Sequence, residues 1–467
     1  MTKIMPSSII INPSSTTLTA SEIAIANELF SKLEKKHGRN RIRQRYYDQK
    51  QLLKDLRISL PPQLRNIQSV LGWPAKTVDV LADRIQFQGF QVTGKTPDNY
   101  GLDELVEANN FYDEFSQTIT SALTHSVAFI TISRGMEPNE PEILWLAKSA
   151  LNATGIWNRR TRSLSSGLTV TGRSKEGVIT HATLYLPDKT VDLEIGAGGK
   201  CKTDVQPNPT GRVLIEPLIY SADLSREFGR SRISRAVMTL TDSAIRTIVR
   251  SEVGAEFFAS PQRYILGADE NELKDKWDAL VSKVLTITRD EDGDLPTIGQ
   301  FQQLSMQPHT DQLRQWASLL AAETSIPLDE LGFPSQNPSS DAAIQSQRDP
   351  LRLRADAAIR GFQSTLRRLA NTTILLRDGE LPGGDIQGWF KPTLNITDAA
   401  AADAVLKQVQ VMPWLADSPI ILEKLGYDAS AIRSLLNEKR RNEGRNLLER
   451  IAANADRYDD DGNLITG

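Results

Sequence analysis

The hydrophobic period of this chain changes twice, at Ser126 and at Ser231, and no single repeating architecture survives that pattern. Before residue 126 the apolar residues recur at helical spacing. Thr19-x-x-Glu22 forms a capping-box signature, and Ile23, Ala26, Leu29, Phe30 and Leu33 make one stripe behind it. A second predicted helix carries Ile42, Tyr46 and Leu53; Pro61-Pro62 interrupts, and Trp73-Pro74 opens another helix with Val78, Leu81 and Ile85 on one face. Short helices are expected near 102–109 and 113–125. From 126 to about 220 the pattern becomes short β-branched runs, Val127–Ser133, Gly167–Thr171, Val178–Leu186, Val191–Ile195 and Val213–Ile215, parted by Gly, Pro, Asn and Asp. That spacing predicts an antiparallel β-domain.

After Ser231 a long helix returns, with Ile233, Val237, Leu240, Ala244, Ile248 and Phe257 as packing positions. A small mixed unit follows, in which Val284–Ile287 and Thr297-Ile298 flank Asp292-Gly293, a hairpin turn signal. A helix with Leu313, Trp316 and Leu320, a Pro/Ser/Asn loop, and a long helical stretch from Ser340 to Leu376 come next. Pro350 is expected to kink or break that stretch. The C-terminal part from about 398 reads as helical, with an Asp-rich end. The whole predicts an α+β protein of about three domains.

Composition removes several function classes. With one cysteine, Cys201, neither an intramolecular disulfide nor a cysteine-rich zinc site can form, and His37, His125, His181 and His309 lie far apart in sequence. Lys and Arg number 55 against 58 Asp and Glu, a net charge of −3, which argues against a surface that grips nucleic acid throughout. No apolar run reaches the ~20 residues of a membrane span, so synthesis in the cytoplasm is expected.

Several motifs have a sharp and a bland reading. Gly89–Thr96 matches the phosphate-loop pattern G-x-x-x-x-G-K-[ST], the one hint of an ATP-using packaging enzyme. Pro97 disfavours helical geometry at Thr96, and Asp98, Asn99 and Gly101 continue a loop, so a plain strand-to-loop turn is the expectation. Asp459-x-Asp461-Gly462 hints at a calcium loop, but Arg457 stands where the first ligand belongs; a solvated tail is expected. Arg348, Arg352, Arg354, Arg360, Arg367 and Arg368 suit either DNA phosphates or a solvated or subunit-pairing helix face, the second being preferred. Asp290, Glu291, Asp292 and Asp294 read as a solvated hairpin tip before a metal site.

A set of short motifs, in order, carries a family resemblance. They are Tyr46-Tyr47, Leu71-Gly72-Trp73-Pro74 with Val78-Asp79, Asp83-Arg84-Ile85 leading to Gly89-Phe90, Thr183–Asp188, and Gly229–Ile233. Ala255–Ala259 with Pro261-Gln262-Arg263 and Gly267, Ile326-Pro327 with Leu331-Gly332, and Ser339-Ser340 with Ala342-Ala343-Ile344 complete it. Together they span about residues 40–450, and the chain resembles the portal proteins of tailed bacteriophages, in the branch found among siphoviruses of actinobacteria.

The resemblance implies a flexible arm (1–18), a wing with a helical part (19–125) and a β-rich part (126–230), and a stem of two helices (231–258 and 309–323) around a clip (259–308). A channel loop (324–339), a long kinked helix with a wing return (340–397) and a helical crown with a polar tail (398–467) follow. It further implies a closed ring, typically of twelve copies, at one capsid vertex in the virion, through which double-stranded DNA is packaged and ejected. Implied partners are the large terminase subunit, a head–tail adaptor, and the major capsid and scaffold proteins; no catalytic residue, cofactor, metal or membrane is implied. Gln336, Asn337 and Ser339 are then expected at the tip of the channel loop, and Asp290, Glu291, Asp292 and Asp294 on a partner-docking clip. From Ser260 to Gln307 nine acids oppose five bases, a local charge of −4 suited to a basic partner. The loop 324–339 holds no Lys or Arg, which fits a collar that touches DNA by shape without releasing many counterions.

Overall fold

The computed structural model describes residues 10–11, 16–51, 69–93, 100–258, 263–266, 297–300, 305–333, 341–393, 398–427 and 429–455. They form an α+β protein whose described sheets are all antiparallel. The chain divides into two compact units, one of residues 1–44, 78–232 and 349–467, the other of residues 45–77 and 233–348.

Helix α1 (Ala20–Tyr47) belongs to the first unit as far as Gln44. Its start is the capping box read from the sequence: the Thr19 amide donates to Glu22 Oε2 at 2.9 Å and the Glu22 amide to Thr19 Oγ1 at 3.4 Å. Ile23, Ala26, Leu29, Phe30 and Leu33 are all buried, against a five-stranded meander of β4 (Ala153–Asn158), β5 (Ser163–Arg173), β6 (Ile179–Tyr185), β7 (Lys189–Ile195) and β8 (Cys201–Pro207). Leu168, Val170, Ala182, Leu184, Val191 and Leu193 present the sheet's apolar side to that stripe. Each fully buried Leu, Ile, Val or Phe among them contributes ~1.5–3 kcal/mol. Cys201 closes the same core, and burial pushes its thiol up, away from the reactive thiolate.

The helix expected to carry Ile23 to Leu33 and the second one expected to carry Ile42 and Tyr46 are a single helix of 28 residues, with Gly38 inside it. A Cβ at Gly38 would meet nothing within 4 Å, so this glycine costs helix propensity without breaking the helix. Leu53, assigned to the second of those helices, lies outside the described residues.

A second layer joins distant parts of the chain. Strand β2 (Val127–Arg134) pairs with β3 (Ile143–Ser149) and β9 (Ile215–Ile219), while β1 (Phe87–Thr93) pairs with β12 (Asp385–Phe390) nearly three hundred residues on. Phe87, Phe90 and Phe390 from the second pair meet Phe111 and Phe115 of α4 (Phe111–His125) and Trp145 of β3 at ring separations of 4.8–6.3 Å. Trp145 is fully buried and donates its indole N–H to Thr373 Oγ1 at 2.9 Å. Helices α2 (Trp73–Ala82) and α3 (Leu102–Ala108) precede α4 in the chain.

In the second unit α5 (Arg235–Phe258) and α6 (Gln307–Thr324) pack together, and β10 (Arg263–Leu266) pairs with β11 (Thr297–Gln300) in the register Arg263–Gln300 to Leu266–Thr297. The described partner of Thr297 and Ile298 is thus 265–266, a strand the sequence reading did not single out; the expected Asp292-Gly293 turn lies outside the described residues. Helix α7 (Asp341–Asp378) runs continuously through Pro350, so of the two outcomes expected there, a kink or a break, the break does not occur. The division between the units falls between Arg348 and Asp349, beside that proline. Helices α8 (Asp398–Val411), α9 (Pro419–Lys424) and α10 (Ala429–Ala455) complete the described chain.

Candidate functional site

The helix pair of the second unit is built with polar groups inside its seam. Ser234 opens α5, its hydroxyl accepting from the Val237 amide at 3.2 Å. Ile233, Val237 and Ala244 are buried as expected, Leu240 and Ile248 are half-buried, and Phe257's side chain lies outside the described residues. On α6, Leu320 is buried while Leu313 and Trp316 are half-buried. Buried positions beside them hold Thr241 and Thr247 on α5, Ala317 and Thr324 on α6. Trp316 donates its indole N–H to Thr247 Oγ1 at 3.1 Å, Thr247 reaches Gln312 at 3.2 Å, and Ser234 reaches Glu323 at 3.4 Å. The start of one helix therefore lies beside the end of the other.

Tyr46, one of the residues that carry the family resemblance, donates its phenol to the Asp242 carboxylate at 2.9 and 3.0 Å. Burial raises the Asp242 pKa, although the Tyr46 hydrogen bond and the Arg246 charge pull the other way. The Tyr46 phenol is pushed far above its ordinary value by burial and by Asp242.

Among the described side chains of α5 and α6, the exposed charges are Arg235, Arg250 and Arg314 against Glu252, Asp311 and Glu323, three of each sign. After α6, Ser325 takes a left-handed φ of 59°; Ile326 is buried ahead of a short 3-10 turn over Leu328–Leu331, and Leu331 is buried at that turn's end. Glu330 pairs with Lys76 at 3.8 Å. The first half of the expected channel loop is thus tied down. Gln336, Asn337 and Ser339 lie outside the described residues, as do Asp290, Glu291, Asp292, Asp294 and the Asp-rich tail.

The phosphate-loop pattern fares poorly. Gly89 sits within β1 with φ 118° at a register shift, a conformation glycine adopts freely, and Phe90–Thr93 are paired to β12. A phosphate loop needs its first glycine to leave the strand, and here the ladder continues for four more residues. Lys95 and Thr96 lie outside the described residues.

Three of the six arginines singled out on α7 are engaged within the fold. Arg352 bonds Asp349 and Asp356, Arg367 pairs with Asp385, and Arg368 bonds buried Glu216 at 2.7 Å. Burial raises the Glu216 pKa, and Arg368 partly offsets it. Among the described residues no group of three or more His, Cys, Asp or Glu could hold a metal ion, and no helix is long and apolar enough to cross a membrane.

The class of protein that this sequence resembles is the phage portal protein, and the comparison with curated proteins bears the resemblance out. The chain is 27% identical over 401 residues to the portal protein of Mycobacterium phage D29, covering 82% of this chain and 81% of that one. It is 26% identical over 382 residues to the portal protein of Mycobacterium phage L5, covering 78% and 77%. No family model matches. Among solved structures it is similar to a chain from the neck of a native gene transfer agent particle (C12 symmetry; 12% identity, TM-score 0.41, 78% of this chain and 89% of that). A chain from the neck of an empty particle (C6 symmetry) is similar at 14% identity and a TM-score of 0.42, over 79% and 90%.

Proposed function

We propose that this chain is the portal subunit of a tailed bacteriophage, a non-enzymatic virion protein that assembles into a ring, typically of twelve copies, at one capsid vertex. The observation that carries the reading is the similarity to two mycobacteriophage portal proteins over about four-fifths of both partners. Double-stranded DNA enters and leaves through the ring. The large terminase subunit and a head–tail adaptor dock on it, and capsid and scaffold proteins surround it.

The mechanism is geometric. A ring fixes an aperture, and its wall must let a polyanion slide, because every phosphate neutralised adds salt-dependent affinity. The balance of exposed charges along α5 and α6 supports that requirement, and those two helices are assigned to the stem. The acidic segment 260–307, with Asp290, Glu291, Asp292 and Asp294, is assigned to partner docking. Gln336, Asn337 and Ser339 are assigned to a polar collar facing DNA, and its anchored beginning at Ile326 and Leu331 supports a held position for the loop.

Electron microscopy and sedimentation of the purified protein test the assembly. A holed ring far above 51.8 kDa is expected, at high concentration or with capsid and scaffold proteins present. A chain that stays monomeric under all of those conditions refutes the proposal. Exchange of the four clip acids for Asn or Gln is expected to weaken motor docking at low salt, and unchanged docking would remove that assignment.

A further inference from the structure

In the first unit a cleft of about 440 Å³ opens between α1, the ends of β2 and β4, and the turn 225–229. Lys36, Arg39 and Arg43 follow one another down α1, and Arg226 faces them from the turn. Two of the four respond to their neighbours: burial first, then Arg39, Arg43 and Arg226, hold the Lys36 ammonium below its ordinary pKa. Burial, then Arg39 and Arg226, pull Arg43 down to about 10, which leaves it charged at neutral pH. Among the described residues, the side chains of Lys36, Arg39 and Arg226 have no hydrogen-bond or ion-pair partner, and Arg43 keeps a buried Nε with no acceptor although its Nη1 donates to the His125 carbonyl.

The cleft's other cations are accounted for. Arg159 is paired with Glu227, and Lys32 donates to the Gly155 carbonyl at 2.7 Å with its ammonium 4.7 Å from the Phe228 ring centre. The carboxylates nearby, Glu227 and Glu28, act on Lys32 and are not among the charges that shift Lys36 or Arg43. The turn that supplies Arg226 is fixed. Gly229 holds φ +68°, where a Cβ would run into the Tyr220 carbonyl, and Asp223 takes both Nε and Nη2 of Arg230 on one oxygen, at 2.9 and 2.7 Å.

Like charges gathered without a counterion destabilise a fold, and an anion in the cleft would relieve them. Guanidinium groups match phosphate oxygens in pairs, and a phosphate brings more charge on one centre than a carboxylate does. We propose that the cleft lined by Lys36, Arg39, Arg43 and Arg226 is a binding site for phosphate oxyanions, supplied either by free polyphosphate or by a nucleic-acid backbone. The site goes beyond the portal reading and does not depend on it.

The test is calorimetric titration of the full-length protein with inorganic tripolyphosphate, at constant ionic strength in chloride. One site per chain is expected, together with a rise in unfolding temperature. Lys36→Gln and Arg226→Gln should each weaken binding at least about tenfold, the value of one charge-assisted hydrogen bond. Both variants should unfold no earlier than the parent without anion, because each relieves repulsion. Competition by a short DNA duplex, lost in the same variants, assigns the phosphate to nucleic acid; tripolyphosphate binding without such competition assigns it to free phosphate. No binding, equal binding by the variants, or equally tight binding of polyglutamate overturns the proposal.

Discussion

The layer that α1 makes with the five-stranded sheet and the α5–α6 pair are stabilised by different physics. Where α1 meets the sheet, the buried stripe is entirely apolar, from Ile23 to Leu33 on the helix and from Leu168 to Leu193 on the sheet. Volume and area hold it, and interiors of that kind tolerate little displacement. In the helix pair, three buried positions are threonines whose hydroxyls donate within their own helix: Thr241 to the Val237 carbonyl, Thr247 to Ser243 and Thr324 to Leu320. Such hydroxyls stay satisfied when neighbouring helices shift, so few bonds, chiefly Trp316 to Thr247, bind one helix to the other. The difference separates a rigid scaffold from an element able to adjust, which suits a helix assigned to a wall that DNA passes.

Breaking the apolar layer should have the largest effect. Phe30→Ala is expected to lower the unfolding free energy by about 3–5 kcal/mol in urea titration. A loss under about 1 kcal/mol would show that the layer is not the rigid scaffold described.

The buried ion pair comes next. Arg368→Met strands Glu216 and should cost about 3 kcal/mol at neutral pH. The folded-state pKa of Glu216 is already raised, so its contribution is fully present below the ordinary carboxylate range and is lost as pH rises through the raised value. Without Arg368 that value climbs further, and the variant's deficit should widen between about pH 4 and pH 7. A deficit independent of pH would show that packing by the arginine stem is what was lost.

The smallest effect belongs to the helix pair. Thr247→Val removes the acceptor of Trp316 and should cost about 1 kcal/mol, with blue-shifted tryptophan emission absent or slight. A cost matching that of Phe30→Ala would erase the contrast between the two regions.

Much of the local structure was legible in the residues. The Thr19–Glu22 box and the stripe behind it depend only on neighbours in sequence, and both are present. The helix through Gly38 and Pro350 was less so, because one glycine or proline is outweighed by packing along 28 or 38 residues. Pairing of β1 with β12 was not legible at all, since nothing local in Phe87–Thr93 specifies a partner at Asp385–Phe390. The basic cleft was hidden for the same reason. Lys36, Arg39 and Arg43 belong to a basic stretch of one helix, and nothing in that stretch announces the turn at Arg226 that faces them. Of the residues assigned from resemblance, Tyr46 gained a structural reason in Asp242, a pairing that no spacing announces.

The most direct test of the account is a density map of the assembled protein at a resolution that shows helices. A closed ring is expected, its opening lined by Arg235–Phe258 and Gln307–Thr324, with Gln336 and Asn337 projecting inward. A ring lined by the β4–β8 sheet, Gln336 and Asn337 on the outer rim, or no ring in the presence of capsid and scaffold proteins, would contradict it.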